Sequence, residues 1–293
     1  MQIKENPTIG FIGTGVMGKS MAGHLMDAGY KVLVYNRTKS RAEDLLEKGA
    51  MWKETPKELA AACDVVITMI GYPHDVEEVY LGKEGLVNNA RPGTVLIDMT
   101  TSTPSLARRI AEEGEKKGIF VVDAPVSGGD IGAQNATLAI MVGGKEEVFE
   151  AVRPIFELMG KNIIRQGDAG AGQHTKMCNQ IVIASTMMGV CEAVVYAEKA
   201  GLDPELVLQS ISTGAAGSWS LSNLAPRMIN GDFNPGFYIK HFVKDMGIAL
   251  AEAEAMGFHA PGLELAKSLY DQMVQMGEGE LGTQALYKLI REN

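Results

Sequence analysis

In the first half of the chain apolar residues come in short continuous runs separated by glycines and amphipathic stretches, while in the second half they follow helical spacing. The run Ile9-Gly-Phe-Ile12 predicts a buried strand, and Gly18 to Ala28, with Met21, Leu25 and Met26 at helical intervals, predicts a helix after it. Lys31 to Tyr35 reads as a second strand, Ser40 to Lys48 as a helix closed by Gly49, Asp64 to Ile70 as a third strand and Thr94 to Asp98 as a fourth. Phe120 to Asp123 and Ala139 to Val142 follow. Continuous Val/Ile runs of this kind fit a mostly parallel sheet covered on both faces, and right-handed crossovers would wind it doubly.

The character changes around Gly167–Gly172. From Gln173 to Lys199 the pattern predicts one long helix, apolar nearly all round, which would be buried within a helical domain or at a subunit interface. It should stop at Gly201, and Asp203-Pro204 is an N-cap and N1 pair for the next helix. Beyond it come helices with short Gly/Pro breaks and no strong strand. The expected fold class is therefore α/β: a doubly wound Rossmann-type domain over residues 1–165, then an all-α domain over 166–293.

The first strand runs straight into Gly13-x-Gly15-x-x-Gly18, with Thr14, Val16 and Met17 between the glycines. Strand, glycine turn and helix in that order form a phosphate-binding corner. Gly13 allows the tight turn, Gly15 lets backbone N–H groups reach a pyrophosphate, and Gly18 lets helix and strand approach. Sites that prefer NAD usually place an acid at the end of the second strand to hold the ribose diol. Here that place reads Asn36-Arg37-Thr38. A guanidinium attracts a 2′-phosphate that a carboxylate would repel, so NADP is the expected cofactor, with NAD as the second candidate. Arg41 is either a second phosphate contact or an exposed helix residue.

Composition narrows the partners. With 293 residues and a net charge of −9, neither a nucleic-acid groove nor an anionic membrane surface is expected. The most apolar long stretch, Ile181 to Ala197, is interrupted by Glu192 and reads as short of a membrane span. Cys63, Cys178 and Cys191 lack CxxC spacing and sit in apolar stretches, which suggests buried thiols of a reducing cytosol. No secretory signal pattern precedes the first strand, so a cytoplasmic location is expected. The five histidines are scattered and suggest no metal site.

Three polar or glycine-rich segments lie where packing would not require them. Asp98-Met-Thr-Thr-Ser102 follows a strand, as does Asp123-Ala-Pro-Val-Ser-Gly-Gly129, where Ser127 and the N–H groups of Gly128 and Gly129 would make a nest for a carboxylate. Lys176, Asn179 and Gln180 share one face at the start of the long helix. A lysine in a dehydrated site loses proton affinity and can exchange protons near neutral pH, as hydride transfer between an alcohol and nicotinamide requires. The plainer alternative is a lysine snorkelling from a helix start.

Together these segments resemble the β-hydroxyacid dehydrogenase family, which includes 3-hydroxyisobutyrate dehydrogenase and tartronate semialdehyde reductase. The resemblance rests on Phe11-Ile-Gly-x-Gly-x-Met-Gly18, Asp123-Ala-Pro-Val-Ser-Gly-Gly129, Gly170-x-Gly-x-x-x-Lys176-x-x-Asn179 and Lys244-Asp245, in the family order over nearly the whole chain. It implies an NAD(P)-dependent oxidoreductase that interconverts a small 3-hydroxy acid and its semialdehyde, as a homodimer or homotetramer. Lys176 would be the catalytic acid/base. Thr101, Ser127, Gly128, Gly129 and Asn179 would hold the substrate carboxylate and hydroxyl, with Thr101 also near the cofactor. Met69 and Ile70 would line the cofactor groove, Lys244 would reach the nicotinamide ribose, and Asp245 would steady its helix. Many members carry Asn where this chain has Gln180, so the substrate pocket would differ in shape there. Trp219 and Phe237 are either pocket walls or core aromatics, and His174 faces away from Lys176. A dinucleotide-binding sensor without catalysis is the rival reading, but it would need neither Lys176 nor the Ser-Gly-Gly nest.

Overall fold

The protein is described here by a computed structural model covering residues 3–292. Among the described residues nine strands form one sheet: β1 (Ile9–Ile12), β2 (Val32–Tyr35), β3 (Met51–Trp52), β4 (Val65–Thr68), β5 (Val95–Asp98), β6 (Phe120–Asp123), β7 (Val126–Ser127), β8 (Leu138–Gly143) and β9 (Gly160–Gly167). They run in the order β3-β2-β1-β4-β5-β6-β8-β7, with β9 also paired to β8. From β3 to β6 every pairing is parallel, whereas β8 is antiparallel to β6 and β7. The winding direction reverses between β1 and β4, and ligands of such sheets bind at the carboxyl edge beside that reversal.

Alternate residues of the central strands enter two different cores. Ile9, Phe11, Val65, Ile67, Val95 and Ile97 lie in one, and Ile12, Val66 and Leu96 in the other. Side chains of a strand point to opposite faces in turn, so a sheet covered on both sides needs apolar residues at every position. That is why these strands read as unbroken Val/Ile runs. Each fully buried side chain of this size contributes about 1.5–3 kcal/mol.

The structure differs from the expected elements in places. The strand expected over Asp64 to Ile70 is β4, Val65–Thr68, shorter than expected, and the Ser40 to Lys48 stretch starts as a 3₁₀ turn, Lys39–Ala42, before Glu43–Glu47 becomes α-helical. Strands β3, β7 and β9 have no counterpart in the apolar pattern. The first two are only two residues long, and β9 is largely exposed and carries Lys161, Asn162, Arg165 and Gln166.

The chain divides into two compact units, the first ending at Lys176 and the second beginning at Met177, inside the helix Ala171–Lys199. The second unit is helical. Asp203 accepts the N–H of Glu205 at 2.9 Å to cap Pro204–Ile211, and Ser218 caps Trp219–Asn223 through the N–H of Leu221. Helices Ile239–Ala255 and Pro261–Gln275 pack the fully buried Phe242 and Tyr270 edge to face, with ring centres 5.1 Å apart. The Tyr270 hydroxyl donates to the Thr283 carbonyl.

By length and composition the helix Ala171–Lys199 is apolar enough to cross a membrane, with a mean hydropathy of 1.5 over its most apolar stretch. The whole helix is longer than the Ile181 to Ala197 stretch, which alone had suggested otherwise. Its Ala184, Met187, Cys191 and Val194 are core residues of the second unit, the ordinary reason for an apolar helix in a folded domain. Cys63 and Cys191 are buried, and burial pushes the Cys63 thiol up to about 12. Cys178 is exposed, contrary to expectation, because helical spacing turns it away from Lys176.

Candidate active site

Gly13 has φ of +96°, and a Cβ there would stand 2.1 Å from the Met69 carbonyl oxygen. Only glycine tolerates both conditions. A Cβ on Gly18 would stand 1.8 Å from the Gly13 carbonyl oxygen and 3.0 Å from the Phe11 ring, so helix and strand touch at this point. Gly15 differs: a Cβ there would meet nothing within 4 Å. It precedes the helix Val16–Asp27, whose first turn has no side-chain cap, and the adjacent Thr14 hydroxyl is buried without a hydrogen-bond partner among the described residues. Open space, uncapped N–H groups and an orphaned hydroxyl fit a dinucleotide pyrophosphate.

The Asn36-Arg37-Thr38 segment is more committed than the sequence implied. Asn36 accepts the Thr14 N–H at 3.2 Å and donates to the Thr38 carbonyl at 2.8 Å, so its amide braces the glycine turn. Arg37 is largely exposed and donates through Nη1 to Asp75 Oδ1 at 2.9 Å. Arg41 is exposed.

From the corner, contacts lead along the carboxyl edge of the sheet. A Cβ on Gly13 would also touch the Ile70 side chain, and the Ile70 N–H donates to the Thr100 hydroxyl at 3.0 Å. Gln173 holds the loop on both sides of the half-buried Thr101: its Nε2 donates to the Thr100 carbonyl at 2.7 Å, and its Oε1 accepts the Ser102 N–H at 2.9 Å. Asp123 in turn accepts the N–H groups of Gly170 at 2.7 Å and Gln173 at 2.9 Å. A remote carboxylate therefore caps the helix that carries Lys176, where no local Ser, Thr or Asp does so. Gly172 makes room, since a Cβ there would lie 2.3 Å from the Met141 carbonyl oxygen. Lys176 itself is buried at 6 % exposure.

Asp98 and Asp123 are register partners at the ends of β5 and β6, and both are buried. Burial pushes the Asp123 carboxyl up to about 6, against the lowering effect of its two backbone donors, and the neighbouring Asp98 adds to the rise. Asp98 accepts the Thr68 hydroxyl at 2.8 Å and the Thr100 N–H at 3.0 Å. Further along the same edge, Gly128 and Gly129 have φ of +134° and +63° after the half-buried Ser127. Successive backbone turns of this kind aim N–H groups into a concavity.

In the second unit, Gln180 donates through Nε2 to Asp245 Oδ2 at 2.6 Å and accepts from Asn179 at 2.8 Å. Lys244 lies 3.0 Å from the other oxygen of Asp245. The Gln180 amide thus links Asn179 to the Lys244-Asp245 pair. Phe237 packs edge to face on Phe242, as a core aromatic would, whereas Trp219 is exposed. His174 faces Arg108, with 3.3 Å between the nitrogens.

Sequence reasoning missed Asp75 and Gln173 and took Asp123 only as part of a motif. An acidic residue just after Pro73, where a first helical turn would lie, was the available signal for Asp75; none marked Gln173.

The NAD binding domain family of 6-phosphogluconate dehydrogenase matches residues 8–167. The family described as the NAD-binding region of NADP-dependent 3-hydroxyisobutyrate dehydrogenase matches residues 170–290. The chain is 67 % identical to an uncharacterized oxidoreductase of Bacillus subtilis, over 96 % of this chain and 98 % of that one. It is 52 % identical to an Arabidopsis thaliana protein named "Probable 3-hydroxyisobutyrate dehydrogenase-like 1, mitochondrial", over 96 % of this chain and 84 % of the other. Among solved structures, Mycobacterium tuberculosis 3-hydroxyisobutyrate dehydrogenase with L-serine superimposes with a TM-score of 0.89 at 34 % identity, covering 98 % of this chain and 99 % of that one. The chain belongs to the β-hydroxyacid dehydrogenase family of NAD(P)-dependent oxidoreductases.

Proposed function

We propose that this enzyme interconverts a small 3-hydroxy acid and its semialdehyde, with NADP preferred over NAD. The observation that carries the reading is the buried Lys176 on a helix capped by Asp123 and tied through Gln173 to the Thr101 loop. L-serine, the molecule named with the solved mycobacterial relative, is itself a 3-hydroxy acid.

The nicotinamide supplies or takes the hydride when bound. The chain's own residues do the rest. Gly13, Thr14, Gly15, Val16, Met17 and Gly18 form the pyrophosphate corner, Asn36 braces it, and Arg37 with Thr38 receives the 2′-phosphate. Met69, Ile70 and Lys244 serve the remainder of the cofactor. Ser127, the N–H groups of Gly128 and Gly129, Thr101 and Asn179 hold the substrate carboxylate and hydroxyl. Gln180, with its amide already engaged, acts by fixing Asn179. Lys176 takes the hydroxyl proton in oxidation and returns it to the carbonyl oxygen in reduction, a role worth roughly 10²–10⁴ in rate.

The sequence assigns cofactor binding to 1–165 and substrate binding and assembly to 166–293; in this reading Thr101, Ser127, Gly128 and Gly129 of the first part also meet the substrate, and Lys244 of the second also meets the cofactor. A homodimer or homotetramer is supported by Val182 and Tyr196, exposed on the otherwise apolar helix. A cytoplasmic location is supported by three unpaired cysteines.

The decisive experiment is steady-state NADPH and NADH oxidation with a panel of β-semialdehydes and matched aldehydes lacking the carboxylate. The reading requires at least one semialdehyde to exceed its uncharged counterpart by about 100-fold in kcat/KM, the scale of a lost charge-assisted contact. Equal turnover of both would overturn it.

A further inference from the structure

Arg37 and Asp75 come from opposite sides of the glycine corner. Arg37 follows β2 and Asp75 lies in the first turn of the helix Pro73–Leu81, after β4. Strands β2 and β4 flank β1, whose end becomes the Gly13-x-Gly15-x-x-Gly18 turn. The ion pair therefore spans the end of β1, beside the phosphate-binding corner. Its two members are unequally placed. Asp75 is 8 % exposed, whereas the Arg37 side chain is 79 % exposed. Asp75 Oδ1 takes the Arg37 Nη1 hydrogen bond, with the exposed His74 Nε2 another 3.7 Å from the same oxygen. Asp75 Oδ2 is buried and has no hydrogen-bond partner among the described residues.

A buried carboxylate with one oxygen unpartnered is costly, and its position at a helix N-terminus compensates only in part. It also acts on whatever Arg37 binds. An unopposed guanidinium would discriminate strongly for a 2′-phosphate, but one held by a fixed carboxylate offers it less net positive charge. NAD, with no such phosphate, loses nothing by this.

We propose that Asp75 is a specificity-setting residue. It positions Arg37 through Nη1 and offsets its charge, so the enzyme distinguishes NADP from NAD less sharply than an unopposed arginine would. This rests on the reading of Arg37 as the 2′-phosphate contact.

The test measures the equilibrium Kd of NADPH and NADH by nucleotide fluorescence, together with kcat/KM for both, in the wild type, Asp75→Asn, Asp75→Ser, Arg37→Ala and the Arg37→Ala/Asp75→Asn double variant; each NADPH:NADH ratio is read from both. The amide of Asp75→Asn keeps an acceptor for Nη1 while removing the charge. It should raise the NADPH:NADH ratio by about fivefold or more, the scale of one partly screened unit charge at short range. Asp75→Ser should move the ratio in the same direction and serves if the Asn variant does not fold. In the Arg37→Ala background the Asp75 substitution should leave the ratio unchanged. An unchanged or lowered ratio in the folded single variants overturns the proposal, as does an Asp75 effect that survives without Arg37. If Arg37→Ala itself weakens NADPH and NADH equally, the phosphate reading of Arg37 fails instead.

Discussion

Gln180 and Asp245, 65 positions apart, are joined by a buried 2.6 Å hydrogen bond in which the amide donates to the carboxylate. Asparagine at this position would be one methylene too short to keep this geometry unchanged. Gln180 thus makes a structural link among Asn179, Lys244 and Asp245. Gln180→Asn should cost about 1–3 kcal/mol, the usual penalty for leaving a buried polar group short of a partner. Urea unfolding measures it, and wild-type stability in the variant would show the link to be dispensable.

Lys176→Ala removes the proposed proton donor and acceptor. Turnover should fall by roughly 10²–10⁴ in both directions. Cofactor binding followed by nucleotide fluorescence should be nearly unaltered. Retention of wild-type turnover would remove Lys176 from the chemistry.

The three corner glycines are not equivalent. Gly18→Ala places a Cβ against the Gly13 carbonyl, so it should destabilise the fold by about 1–3 kcal/mol or more. Gly15→Ala meets no protein atom within 4 Å and should melt within a few degrees of the wild type. It should nevertheless weaken NADPH about tenfold or more, because its methyl group occupies the space left for the pyrophosphate. Thermal melts with and without NADPH separate the two effects; equal behaviour of the two variants would contradict the assignment.

Asp123 makes stability depend on pH. Its carboxyl is pushed from 3.8 up to about 6, chiefly by burial. The folded protein therefore holds a proton that the unfolded chain releases between about pH 4 and pH 6. The stability contributed by the neutral carboxyl is complete below pH 4 and is lost as pH rises through 6, up to about 3 kcal/mol. Asp123→Asn, which cannot ionise, should lack this fall. Parallel stability curves for variant and wild type over that range would count against the shift.

Much of this protein follows from local pattern. Unbroken Val/Ile runs announce strands buried on both faces, the glycine turn announces its own backbone demands, and the apolar run with Lys176 near its start announces a long helix. These features are legible because each rests on residues close together in the chain. Strand β9 was not, since its polar residues Lys161, Asn162, Arg165 and Gln166 flank only two apolar ones, Ile163 and Ile164, neither fully buried. Nor were the pairs that shape the site. Asp75 meets Arg37 only because β4 and β2 flank β1, and Asp123 caps the Lys176 helix only because that helix begins beside the end of β6. The sequence by itself determined the main strand-and-helix plan and the glycine turn, and singled out Lys176 as the candidate acid/base. Tertiary structure alone decided which carboxylate meets which cation or N–H group, because strand order, not sequence distance, sets those neighbours.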